Sequence, residues 1–212
     1  MSGKKLHTTY KLKDGTKVPS VTTITGQLDK AQLIHWAVKV TKEGLDWQKV
    51  RDDAASIGTL THQMIFDHLK EAKTDLSIYS EQQIGQAETC LIKYWDWEKE
   101  HQGIKDLTLE LPMVSEVMRY GGTIDRLCEI DGVLTIIDYK TGKEVWPEMW
   151  YQLAAYQMLA QENGYDVKVC RILRIGREEK EGFEEAIRKD LSLEMEMFKH
   201  LRAIYDLKKG GS

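Results

Sequence analysis

Cysteine is scarce in this chain: three residues in 212, Cys90, Cys128 and Cys170. They lie far apart, are odd in number and form no CxxC pair. A thiolate zinc site and an iron–sulfur cluster are therefore not expected. The ordinary reading is reduced, buried thiols in a cytoplasmic protein. No apolar run approaches the roughly 18–20 residues of a membrane span, so no membrane partner is expected. The stretch Met1–Lys13 has no apolar core after its lysines, which argues against a secretory leader. There is no GxxxxGK[ST] phosphate loop, so neither a nucleotide cofactor nor a motor is expected. Internal repeats and low-complexity linkers are missing too. Neither sign of charge dominates, with 30 Lys and Arg against 34 Asp and Glu and a formal net charge of −4. That disfavours nucleic-acid binding through a whole-surface field, but it leaves room for a local basic groove.

The rest is an ordinary globular composition, 42% hydrophobic and 30% charged. The length fits a single domain spanning 1–212, with a helical part over about 28–104 and a core over about 105–207. Val18-Pro19-Ser20-Val21-Thr22-Thr23-Ile24 reads as a turn or short strand, with Ser20 or Thr22 able to cap the next segment. Helical spacing runs from about Lys30 to Thr41, Trp47 to Lys70 and Glu81 to Glu100. The period then changes. Leu107 to Val117 reads as a strand interrupted at Pro112. Gly122 to Ile130 and Val133 to Tyr139 come next, joined by Asp131-Gly132, a strong two-residue hairpin signal. A helix is predicted from Pro147 to Asn163, with proline in its first turn and Gly164 at its end. Val167 to Ile175 is another strand, Leu191 to Leu207 a closing amphipathic helix, and Lys208 to Ser212 a frayed end. The fold class is α/β (α+β): a central mixed β-sheet flanked by α-helices.

The hairpin has a chemical consequence. With Asp131-Gly132 as the loop, Ile130 faces Val133, and counting outward places Asp125 opposite Asp138. Thr123 then faces Lys140, which shares the face of both aspartates. Opposed residues have Cβ atoms about 4.5–5.5 Å apart, so two carboxylates there repel. Either one aspartate is protonated, or a cation sits between them. Oxygen-only ligation suits Mg²⁺, Mn²⁺ or Ca²⁺. A lysine beside such an ion fits phosphodiester hydrolysis, with the ammonium stabilising negative charge. The plainer alternative is a strand-end Asp138–Lys140 ion pair with Asp125 solvated at an edge.

At these residues a family resemblance enters. Gly122-x-x-Asp125, Asp138-Tyr139-Lys140 and Gln152-x-x-x-Tyr156 resemble the PD-(D/E)xK nuclease superfamily. Gly58-Thr59-Leu60-Thr61-His62 is similar to the GxxxH element of its RecB-like branch. Val18-Pro19-Ser20-Val21-Thr22 also resembles short phage-type exonucleases and the mitochondrial genome maintenance exonucleases. The likeness covers about residues 18–175. It implies a restriction-endonuclease-like core, Mg²⁺ or Mn²⁺ dependence and cleavage of DNA at or near ends. The setting would be repair, recombination or phage replication in a bacterial or phage-infected cell, with recombination or replication proteins as possible partners.

Carried over residue by residue, Asp125 and Asp138 resemble the metal-binding carboxylates, Lys140 the catalytic lysine, and the Tyr139 backbone carbonyl a further ligand. His62 resembles the histidine that approaches the metal from a helix. Gln152 and Tyr156 resemble the pair that orients the lysine and contacts substrate. Glu110 is a candidate for a supporting acidic strand residue, and Glu116 a weaker one. The candidate cations for DNA phosphates are Lys143, Arg119, Arg171 and Arg174, with Arg126 of the wrong strand parity for the metal face. Trp146, Trp150 and Tyr151 are candidates for base stacking, against a competing role in packing. Alternatives on the same resembled scaffold are a structure-specific endonuclease, or a nuclease-derived DNA-binding protein without catalysis.

Overall fold

The computed structural model describes residues 8–28 and 31–210, with the backbone alone for residues 31 and 32. The chain opens with a small hairpin, β1 (Tyr10–Lys11) and β2 (Lys17–Val18), and a short helix α1 (Val21–Thr25). Ser20 caps α1 by accepting the Thr23 N–H at 3.0 Å. The expected turn or short strand at Val18–Ile24 is thus a strand end joined to a helical turn. Three long helices come next: α2 (Ala31–Lys42), α3 (Trp47–Leu69) and α4 (Glu81–Glu100). The predicted start of α2 at Lys30 lies outside the described residues. Asp46 caps α3 and Ser80 caps α4, each through its side-chain oxygen.

The second half carries the main sheet: β3 (Lys105–Ser115), β4 (Tyr120–Ile130), β5 (Val133–Thr141), helix α5 (Pro147–Glu162), β6 (Val169–Ile175), β7 (Phe183–Arg188) and helix α6 (Ser192–Gly210). Strand order is that of the sequence, β3-β4-β5-β6-β7. Only β5 and β6 run parallel, because α5 carries the chain back between them. The sheet is mixed and flanked by helices. Pro112 does not interrupt β3; it pairs with Thr123 inside the strand. An edge strand can leave one N–H position without a partner, so proline is tolerated there.

Two findings depart from the sequence reading. The strand β7 is extra. Its pattern, Phe183-Glu184-Glu185-Ala186-Ile187-Arg188, carries the charge typical of a protected sheet edge, which hides it from a hydrophobic-period reading. The end expected to fray at Lys208 continues as helix to Gly210.

Apolar side chains fill both faces of the sheet. One core holds α1, α5 and α6 against residues such as Ile136 and Ile172. The other holds α3 and α4 against Ile137, Tyr139 and Leu173. Successive β5 residues alternate between the two cores, as a strand covered on both faces must. All three cysteines are buried and free. Among the described residues no helix is long and apolar enough to cross a membrane.

One ion pair is built into the α4 core. Arg126 is 2% exposed. Its Nε and Nη2 donate to the two Asp106 oxygens at 2.5 and 3.1 Å, and its Nη1 donates to the Tyr94 hydroxyl at 3.0 Å. Tyr94 in turn donates to Glu98 at 2.8 Å. Breaking such a pair strands a buried guanidinium. Asp106 itself is exposed, so Asp106→Ala is expected to cost about 1–2 kcal/mol of unfolding free energy by urea titration, the scale of a lost hydrogen bond to a charged group, whereas a loss below about 0.5 kcal/mol would show the pair to be a solvated one.

Candidate active site

The predicted hairpin register is the observed one. The ladder pairs Ile130 with Val133 and continues through Arg126 with Ile137. There the pairing ends, one step before Asp125 and Asp138. Beyond that point, on the β4 side, the Tyr139 N–H donates to the Asp125 carboxylate at 3.0 Å. Asp138 is 1% exposed and forms an ion pair with the Lys140 ammonium. The ammonium meets Asp138 Oδ2, so this buried carboxylate leans on a single cationic side chain.

Each flanking layer sends residues to this point. From α3, His62 Nδ1 stands 3.5 Å from Asp125 Oδ2, and its ring meets Tyr139 edge-on at 5.8 Å between centroids. Gly58 explains how a helix comes so close: a Cβ there would lie 3.0 Å from Thr141 Oγ1 at the end of β5. From α5, Gln152 Nε2 donates to the Tyr156 hydroxyl at 2.8 Å. The pair thus orders itself first, with Gln152 directed at Tyr156. The Tyr156 ring lies against β4 at Gly122, where a Cβ would fall 2.6 Å from Cε1. The glycine of Gly122-x-x-Asp125 is space for Tyr156. The neighbouring Gly121 makes the same kind of room for Tyr10, and its N–H donates to the Pro19 carbonyl at 3.0 Å. The Val18-Pro19-Ser20 stretch thereby docks beside the aspartate strand. A cavity of about 430 Å³ opens next to these groups, bordered by Gly58, Thr59, His62, Lys140 and Thr141.

The electrostatics divide the two aspartates. Burial alone would raise the Asp125 carboxyl, but His62, Lys140 and the Tyr139 N–H outweigh it and hold the group at about 2. Burial pushes Asp138 up to about 6; Lys140 opposes this and the nearby Asp125 charge adds to it. Burial lowers His62, yet the Asp125 charge prevails and raises it. The Tyr156 phenol is raised well above its usual range by burial, then by Asp138 and Asp125. It remains an O–H donor.

The donor set fits a hard divalent cation. Asp138 is a buried carboxylate whose charged neighbours are the Lys140 ammonium and the Asp125 carboxylate. No three His, Cys, Asp or Glu side chains form a ready cage among the described residues. Two carboxylates and a main-chain carbonyl suffice for an ion such as Mg²⁺, which keeps water and substrate oxygens in its shell.

The other sequence candidates separate. Glu110 borders a small cavity with His62, Asp125 and Tyr139. Glu116 does not join them; it accepts the Lys13 N–H at 2.9 Å in the β3–β4 turn region. Arg171 and Arg174, two of the phosphate candidates, are engaged by β7 and the residues just before it. Arg171 Nη1 reaches Glu185 Oε1 at 2.5 Å, and Arg174, 6% exposed, donates to the Glu181 carbonyl at 2.5 Å. The unrecognised strand β7 is why the sequence did not show these partners. Arg119 is exposed in the β3–β4 turn, and Lys143 is exposed with Glu181 at 3.8 Å. Trp150 is buried with the Arg188 guanidinium 4.3 Å from its ring centroid, so its role is packing.

No curated protein matches the sequence. Solved structures do. One, from Eubacterium rectale, is provisionally assigned as an exonuclease; it has 13% identity and a TM-score of 0.42 over 89% of this chain and 70% of its own. Another is the alkaline exonuclease LHK-Exo of Laribacter hongkongensis, at 15% identity and a TM-score of 0.38 over 74% of this chain and 90% of its own. LHK-Exo bound to dAMP gives 14% identity and a TM-score of 0.39 over 75% of this chain and 90% of its own. The sequence profile of the PD-(D/E)XK nuclease superfamily matches residues 9–208, nearly the whole chain, and this protein belongs to that superfamily.

Proposed function

We propose that this chain is a Mg²⁺- or Mn²⁺-dependent deoxyribonuclease that hydrolyses phosphodiester bonds at single-stranded or duplex ends. The observation that carries the reading is Asp138: a carboxylate 1% exposed, at the end of an apolar strand, held against the Lys140 ammonium with the Asp125 carboxylate as its second charged neighbour. Such a group is costly to bury unless a cation uses it. The preference for ends rests on the likeness of Val18-Pro19-Ser20-Val21-Thr22 to short exonucleases. The exposed Lys143 and Arg119 are candidate cations for phosphates beyond the site.

Asp125, Asp138 and the Tyr139 carbonyl would hold the ion, with His62 beside Asp125. When bound, the ion supplies Lewis acidity and positive charge to the reacting phosphate. Lys140 places an ammonium where charge develops on the phosphate oxygens and on the attacking group. Tyr156 presents a protonated phenol as a hydrogen-bond donor, and Gln152 fixes that phenol's direction. His62 meets the Asp125 carboxylate and so restricts the orientation of that ligand.

On end-labelled DNA with Mg²⁺ or Mn²⁺, Lys140→Ala and Asp125→Asn are each expected to lower kcat by about 10²–10³-fold or more. Chelation should abolish cleavage and added Mg²⁺ or Mn²⁺ restore it. Variants that cut as fast as wild type would remove this site assignment. Closed circular DNA should stay intact; linearisation of the circle would make the protein an endonuclease. Gly122→Ala tests the α5 contribution separately. The new methyl meets the Tyr156 ring, so a stability loss of about 1–3 kcal/mol is expected, together with a fall in kcat. Unchanged kcat would show that the position of Tyr156 is not used in the reaction.

A further inference from the structure

Four non-glycine residues have positive φ among the described residues: Glu71, Glu110, Arg119 and Asp131. Three are where such angles are ordinary. Glu71 lies just past the end of α3, Arg119 lies in the β3–β4 turn, and Asp131 is in the two-residue hairpin loop. Glu110 is different: it sits inside strand β3 with a φ of 47°. A left-handed residue there is costly, and such strain persists where the surroundings require it.

The sheet changes face at that residue. On β3, Leu109 borders a cavity with Phe66 and Leu69 of α3, while Leu111 and Met113 pack into the core beneath α5. Residues two apart on a regular strand share a face, so β3 rolls over between Leu109 and Leu111. Strand β4 does the same. Cys128 and Ile130 belong to the α3–α4 core, and Arg126 reaches Tyr94 on α4, yet Ile124 packs into the α5 core. The change falls at Asp125. The ladder brackets the same point, pairing Leu109 with Arg126 and Leu111 with Ile124 on either side of Glu110 and Asp125.

We propose that Glu110 is a positioning residue whose left-handed main chain turns the β3–β4 pair over at Asp125 and so delivers that aspartate to the seam between the two helical layers. There His62 of α3 and the Asp138–Lys140 strand meet it at once. In a regular strand pair Asp125 would face one layer only. The inference rests on the nuclease reading of the site, and it assigns the role to the backbone rather than to the carboxylate.

Glu110→Gly and Glu110→Val lose the same carboxylate. Glycine accepts the left-handed angle, and β-branched valine resists it. The test compares kcat, KM for a DNA oligonucleotide, and Mn²⁺ binding by calorimetry. The glycine variant is expected to exceed the valine variant at least tenfold in kcat and in Mn²⁺ affinity, with KM values alike. Equal losses in both would assign the role to the carboxylate, and equal retention would leave the conformation without a role; either overturns the proposal. If the valine variant does not fold, Glu110→Asn and Glu110→Thr provide the same contrast, since asparagine tolerates the left-handed region. A wild-type protein that cuts no DNA would instead defeat the nuclease reading, and Mn²⁺ binding by the variants would still judge this one.

Discussion

Asp138 imposes the constraint on which the site depends. It comes directly after Ile136 and Ile137 on a strand covered on both faces, and it is as buried as they are. A carboxylate in that position is destabilised by lost hydration and by the second carboxylate nearby. The protein offsets part of the cost with Lys140, two residues on, and with the uneven treatment of the aspartates. Asp125 is kept ionised by His62, Lys140 and a main-chain N–H, while Asp138 is pushed toward the neutral form. A cation that both aspartates could share would remove the remaining penalty.

The surrounding fold can be understood as the means of bringing groups to that pair. The β4–β5 hairpin sets its spacing. Helix α3 approaches the end of β5 over the bare surface of Gly58 and brings His62. Helix α5 approaches over the bare surface of Gly122 and brings Tyr156, which Gln152 holds by its hydroxyl. Two glycines, one in a helix and one in a strand, thus solve the same problem on opposite sides of the sheet. Neither is used for an unusual φ; a Cβ at Gly122 would collide with the Tyr156 ring, and one at Gly58 would press on Thr141. The buried Arg126, with its Asp106 and Tyr94 contacts, lies behind this arrangement and ties α4 to β3 and β4.

Much of this was legible in the sequence where local chemistry dictates structure. Asp131-Gly132 specifies a two-residue turn, and the turn specifies the register out to Arg126 and Ile137. The long helices announced themselves through their period, with boundaries within a few residues of those observed. Strand β7 did not, because an exposed edge strand is built to avoid a continuous apolar signal. Consequently the β7 partners Glu185 of Arg171 and Glu184 of Arg174 were invisible, and both arginines looked available for phosphate. The face change at Glu110 was hidden for a different reason. Alternation can be read only when it is regular, and a left-handed residue within a strand breaks it without any sequence signature such as glycine. The ladder's end before Asp125 and Asp138 was likewise hidden, since counting pairs assumes that pairing continues.

The claim that Asp125 and Asp138 share a cation is tested most directly by anomalous diffraction from crystals soaked in Mn²⁺. The account predicts one strong peak at bonding distance, about 2.1 Å, from a carboxylate oxygen of Asp125, a carboxylate oxygen of Asp138 and the Tyr139 carbonyl. A peak elsewhere, or none at saturating Mn²⁺ with both carboxylates unchanged, would contradict it.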